Sequence, residues 1–175
     1  MDKPVLIIID GPMGSGKTVL SRNLHKKMGN CALLSIDVIK NFIYGFHRIE
    51  KQKKDFVKYD ITSIISKAYL DKCSSVIIEH SFGDKETVDK LSESAKPIEA
   101  RVLIIKVDAP LDLRMQRVIE RDKPLINMKE KLLGKITEDD KSFKMGNPPN
   151  YDLKFDTSKQ ELEEISNKII GEIRK

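Results

Sequence analysis

The stretch Val5-Leu6-Ile7-Ile8-Ile9-Asp10-Gly11-Pro12-Met13-Gly14-Ser15-Gly16-Lys17-Thr18 carries two signals in succession. Val5 to Ile9 is a continuous apolar run bounded by Pro4 and Asp10, the pattern of a strand buried on both faces of a parallel sheet. Gly11 to Thr18 then matches G-x-x-x-x-G-K-[ST] at every fixed position. Residues near 17 to 28 read as a helix closed by Gly29 and Asn30. A strand, a glycine-rich turn and a helix in this order predict a loop that wraps phosphate.

The chemistry follows from the residue types. Glycines let the backbone turn tightly enough to aim several N–H groups at one phosphate, and the helix N-terminus adds its partial positive charge at the same point. Gly11, Met13, Gly14, Ser15, Gly16, Lys17 and Thr18 are therefore the expected nucleotide-binding set. Lys17 can reach the β- and γ-phosphates, and the Thr18 hydroxyl can ligate a bridging magnesium ion. Binding of a nucleoside triphosphate does not choose between hydrolysis, signalling and transfer to an acceptor. No Asn-Lys-x-Asp segment that would read guanine is present, since Asn167-Lys168 is followed by Ile169-Ile170.

Outward from the loop, strands and helices alternate. Apolar runs at Cys31 to Ile36, Ser75 to Ile78, Arg101 to Val107 and Leu153 to Phe155 predict four more strands. Helices are expected from about Asp37 to Phe46, about 54 to 72, about 84 to 95, Leu111 to Arg121 and beyond Thr157-Ser158, which is read as a cap. In the second of these, Phe56, Ile61, Ile64, Ile65 and Ala68 form the expected core-facing stripe. The fold class is α/β, a three-layer αβα sandwich on a mostly parallel five-stranded sheet. Residues 1–175 are read as one domain. Residues 122–151 are its least regular part, either a lid or flap or an ordinary surface helix pair with a loop.

Composition narrows the class. The chain has 175 residues, 39% hydrophobic and 34% charged, which excludes disorder, and no apolar run approaches the roughly 20 residues of a membrane span. Cys31 and Cys73 lack metal-ligand or redox spacing and read as buried thiols in a reducing cytoplasm. A net charge of +5 suits an anionic ligand. Arg48, Lys51, Lys53, Lys54 and Lys58 cluster, but Glu50 and Asp55 dilute them, and a solvated face is the plainer account.

On the acceptor side, Asp37 follows the second expected strand at the sheet edge where open α/β sheets bind ligands. A carboxylate there can take the proton of an acceptor hydroxyl, or simply cap a helix. Glu79 ends the third strand, placed to hold a magnesium-bound water or to orient the acceptor; His80 and Ser81, next to it, can line the same cleft, though a lone histidine at a strand end reads more plainly as a solvated loop residue. Arg117 and Arg121, one helical turn apart, can stack on a base and grip phosphates, or pair with Glu120 and Asp122 at the surface, and Arg114, one short turn earlier, is a third candidate for the stacking role.

The phosphate loop, Ser35-Ile36-Asp37, Val76-Ile77-Ile78-Glu79 and Arg117-Val118-Ile119-Glu120-Arg121 together resemble the P-loop kinase group that includes adenylate kinase, gluconate kinase, chloramphenicol phosphotransferase and the kinase domain of polynucleotide kinase. The resemblance implies an ATP- and Mg2+-dependent kinase. Lys17, Asp37 and Arg121 would be catalytic, Arg117 and Arg121 would join the loop in holding nucleotide, and Thr18 and Glu79 would hold the metal. Its acceptor would be a hydroxyl or phosphate of a small molecule or nucleotide. Where relatives carry an arginine three positions after the aspartate, this chain has Lys40, which lacks the planar fork that grips phosphate. Two other readings stay open: a polynucleotide 5′-hydroxyl kinase, and a nucleotide-binding switch without transfer. Nucleic acid is the less favoured partner, no membrane contact is expected, and oligomeric state is not legible.

Overall fold

The computed structural model describes residues 3–72 and 74–175, so the expectation for Cys73 lies outside the described residues. In chain order the elements are β1 (Val5–Asp10), α1 (Lys17–Met28), β2 (Cys31–Ser35), α2 (Ile36–Lys40), α3 (Lys51–Asp55), α4 (Ile61–Leu70), β3 (Ser75–His80), α5 (Lys85–Ser92), β4 (Arg101–Asp108), α6 (Leu111–Asp122), α7 (Ile126–Met145), β5 (Leu153–Asp156) and α8 (Leu162–Ile173). The five strands form one parallel sheet in the order β2-β3-β1-β4-β5, with Ile8 of β1 in register with Ile78 on one side and Ile104 on the other.

Every residue of β1 is buried, as a central strand flanked on both faces requires. Its side chains alternate between two cores. Ile7 and Ile9 face Leu20 and Leu24 of α1 and Ile165 and Ile169 of α8. Leu6 and Ile8 face Ile36, Leu70, Val88, Leu91 and Ala95. Because the chain leaves β1 toward β2, beyond β3, and comes back through β3 to β4, the crevice beyond the carboxyl ends of β1 and β3 is the sheet's switch point.

Several expectations are corrected. The helix after β2 stops at Lys40 and not at Phe46, because Gly45 takes φ 71° and Phe42 and Tyr44 have no core to reach. The long helix expected at 54–72 is α3 and α4 joined by a π-helical turn over Phe56–Asp60. That turn rotates the buried face, so Val57, Thr62, Ser66 and Leu70 point inward while Phe56 and Ile64 are exposed. Thr62 and Ser66 satisfy their hydroxyls on the carbonyls of Lys58 and Thr62, at 2.6 and 2.7 Å. Residues 122–151 are mostly the 20-residue helix α7, whose Ile136 and Asp140 are buried. Thr157 and Ser158 do not cap α8, which starts at Leu162 after Glu161. No helix among the described residues is long and apolar enough to cross a membrane.

Candidate active site

The phosphate loop leaves β1 as a tight turn because its neighbours leave no room for side chains. A Cβ on Gly11 would stand 2.0 Å from the Val107 carbonyl oxygen, and one on Gly14, where φ is +81°, 2.6 Å from that of Arg114. The loop is held from outside by arginines of α6. Arg114, 1% exposed, donates from Nε to the Ala109 carbonyl at 2.8 Å, from one terminal nitrogen to the Met13 carbonyl at 3.2 Å, and from the other to Asp140 of α7. Arg117 donates to the Gly14 carbonyl at 3.5 Å and to the hydroxyl and carbonyl of Thr157 at 2.8 and 3.0 Å; Thr157 itself donates to the Ser15 carbonyl at 2.8 Å. These residues therefore brace the loop through its carbonyls, while its Met13 amide donates to Asp139 and its Ser15 amide to the Pro12 carbonyl at 3.2 Å.

The cradle fits a polyphosphate. Among the described residues the amides of Gly14 and Gly16 have no acceptor within the protein, the first amides of α1 are free by position, and the buried Ser15 hydroxyl has no partner. Lys17 is folded back, its Nζ donating to the Pro12 carbonyl at 3.0 Å. Burial pushes its pKa down, opposed by Glu79, Asp139, Asp10 and Asp37. The Thr18 hydroxyl donates to Glu79 Oε2 at 3.2 Å, with Glu79 5% exposed. A hydroxyl and a carboxylate so paired at the mouth of a phosphate loop form a hard oxygen donor set of the kind magnesium takes.

Across the crevice, Ser35 of β2 is in register with Glu79 of β3, which sets Asp37 and His80 side by side. Asp37 is 70% exposed at the cleft mouth, ion-paired with Lys40, and its Oδ1 lies 3.8 Å from His80 Nδ1. The cleft walls work to raise the Asp37 pKa, but the Lys40 hydrogen bond and the charges around it prevail and hold it below its usual value. His80 is not a solvated loop residue: its side chain is 14% exposed, and burial, aided by Lys40, pushes its pKa down to about 3. The ring is neutral at physiological pH.

Of the two expected nucleotide-binding arginines, Arg117 is at the loop and Arg121 is not. Arg121 is 62% exposed and gripped by Asp122 at 2.6 and 3.0 Å. Sequence reasoning missed three other groups. Asp10, fully buried, accepts from the amides of Gly11 at 2.7 Å and Phe82 at 2.8 Å, and from the Tyr151 hydroxyl at 2.7 Å; burial raises its pKa against these donors. Its place just before Gly11 was the available signal. Asp139 of α7 accepts from the Met13 amide at 2.6 Å and the Ser81 hydroxyl at 3.0 Å. Asp140 pairs with Arg114. Both lie in a helix whose charges show no periodicity to single them out.

A strand, phosphate loop and helix at the carboxyl edge of a parallel sheet ordered β2-β3-β1-β4-β5 make up a fold that P-loop kinases share. A family model described as "AAA domain" matches residues 6–136, and the chain belongs to that family. Human nicotinamide riboside kinase 1 is 30% identical over 96 residues, 55% of this chain and 47% of that protein, so the chain matches about half of this relative's length. Among solved structures, that of APE1195 superposes with a TM-score of 0.75 at 20% identity, over 99% of this chain and 97% of the other. A gluconokinase from Sinorhizobium meliloti 1021 superposes with a TM-score of 0.65 at 17% identity, over 99% and 94% of the two chains. At these identities the structures speak for the fold.

Proposed function

We propose that the protein is an ATP-dependent kinase that moves the γ-phosphoryl group to a hydroxyl of a small molecule. The observation that carries this is the placing of Asp37 opposite the loop, Lys17 and the Thr18–Glu79 pair at one sheet edge. In this reading the amides of Gly14, Gly16, Lys17 and Thr18 and the Lys17 ammonium hold the phosphates, and Gly11 and Met13 complete the turn. Thr18 and Glu79 would hold Mg2+, which when bound supplies charge neutralisation at the transferring group. Asp37 accepts the acceptor's hydroxyl proton and aligns its oxygen, a contribution of about 10² to 10⁴ in rate. Arg117 fixes the loop that carries the nucleotide, while Arg121 would have to leave Asp122 to reach phosphate. The likenesses to nicotinamide riboside kinase 1 and gluconokinase support transfer to a small alcohol. A cytoplasmic setting, where ATP is supplied and thiols stay reduced, suits the chemistry.

The test is to incubate the protein with γ-labelled ATP and a panel of metabolites and nucleosides, and to follow the label. Asp37→Asn is expected to keep ATP affinity and lose transfer by at least about a hundredfold. Unchanged transfer would remove Asp37 from this role. One observation favours a polynucleotide 5′-hydroxyl as acceptor: Phe42 and Tyr44, 75% and 100% exposed, stand in sequence beside Arg48, Lys51 and Lys53. Oligonucleotide binding would then weaken steeply with salt, whereas the small-molecule reading expects no measurable oligonucleotide binding near physiological salt.

A further inference from the structure

The acceptor side of the cleft holds more positive charge than carboxylate to balance it. Lys40 has Asp37 as its ion-pair partner, the same carboxylate His80 faces. Lys58 has no carboxylate within ion-pair distance among the described residues; its Nζ lies 6.0 Å from the centre of the Tyr59 ring. Of the acids near it in the chain, Asp55 acts on Lys58 from beyond ion-pair distance and Asp60 is taken by Lys90 at 2.8 Å. Lys54 donates to the His47 carbonyl at 2.9 Å and likewise has no carboxylate within ion-pair distance among the described residues. Lys58 is half-buried, within electrostatic reach of both Lys40 and Asp37.

The backbone places it there by an unusual device. Lys58 and Tyr59 lie on the π-helical turn between α3 and α4, which packs against α2, the helix that carries Asp37 and Lys40. Single π-turns of this kind are frequent at functional sites, because the extra residue turns a side chain to a face the regular helix would not present. Half-burying an ammonium with no carboxylate in ion-pair contact carries a desolvation cost, part of which is recovered when an anion arrives.

We propose that the acceptor is an alcohol bearing its own negative charge, with Lys58 and Lys40 receiving that group while Asp37 faces the hydroxyl. The shared chemistry is a carboxylate or a phosphate ester a few bonds from the accepting oxygen. Lys58 thereby determines specificity without touching the reacting atoms, and Lys40 does so while also holding Asp37 ionised. Burial, and then the charge of Lys40, depress the Lys58 pKa with Asp55 opposing, as expected of a cation cluster short of an anion. The same field disfavours a cationic acceptor, which would meet Lys17, Lys40 and Lys58 together.

The inference rests on the phosphotransfer reading, and the experiment separates the two. The protein, with and without Mg2+ and a non-hydrolysable ATP analogue, is titrated calorimetrically with gluconate against glucitol and with ribose 5-phosphate against ribose. The anionic member of at least one pair is expected to bind at least about tenfold more tightly than its neutral counterpart, as charge-assisted hydrogen bonds require. Which pair responds distinguishes carboxylate from phosphate ester. Lys58→Gln is expected to abolish the preference and Lys58→Arg to retain it, with thermal melts confirming that both variants fold. Equal binding within both pairs, no binding of either anion, or a preference that survives Lys58→Gln would overturn the proposal. Failure to bind the nucleotide analogue would instead sink the phosphotransfer reading, while the charge preference is still read from the titrations without nucleotide.

Discussion

At Asp37 two neighbours set the proton affinity, and they act differently. Lys40 favours the ionised carboxylate through its hydrogen bond and its charge, whereas the His80 ring, neutral above about pH 3, stands 3.8 Å away, beyond hydrogen-bond distance. A base is active when deprotonated, so transfer should fall only as pH drops through the depressed Asp37 value, below the ordinary aspartate value of about 3.9. A pH profile of kcat/KM checks this; an acid limb near neutral pH would remove Asp37 from the role of base. Asp139 supplies a second residue-level expectation. Its carboxylate holds the Met13 amide, a donor of the phosphate loop. Asp139→Ala frees that donor and removes a negative charge, so ATP should bind several-fold more tightly, in line with about 1 kcal/mol for one hydrogen bond. Calorimetry reads the change, and weaker binding would show that Asp139 instead holds the loop in its binding shape.

Between elements, the contact that matters is α6 against α7 through Arg114 and Asp140. Asp140→Asn removes the nearer of two carboxylates around an almost fully buried guanidinium, leaving Asp108 3.8 Å from its Nε, and should cost about 2 kcal/mol, read from urea unfolding. In the native protein Lys144 and Arg114 outweigh burial and hold the Asp140 pKa down. Its contribution is therefore present above the unfolded value near 3.9 and lost as pH falls through the lower folded one. Elements were unevenly legible. β1 and α1 declared themselves because an all-apolar run and a fixed glycine spacing have few alternatives. The stripe on α4 was misread because a π-turn shifts every later residue's face, and Thr62 and Ser66 bury hydroxyls that look solvent-facing until their bonds to the preceding turn are seen. The order of α7 was hidden because its anchors are one apolar residue, Ile136, and two acids, Asp139 and Asp140, among many charges.

For the molecule as a whole, the sheet order brings together residues up to a hundred positions apart, so the donor side was readable and the acceptor side only in outline. Gly11 to Thr18 is a local motif whose function needs one turn of chain. Asp37, Glu79 and His80 come from two strand ends that are neighbours only through the register of Ser35 with Glu79. Asp10 binding Tyr151, and Arg114 binding Met13, span still longer separations that no spacing rule reports. The Arg114 arrangement bears on how the protein behaves across solution conditions. A fastener enclosed to 1% exposure is shielded from dissolved ions, whose screening acts on charges that water can reach. The curvature of the nucleotide cradle should thus persist in brine strong enough to loosen the Arg121–Asp122 clasp, and any weakening of ATP there belongs to the ligand's own charge and not to a collapsing receptor.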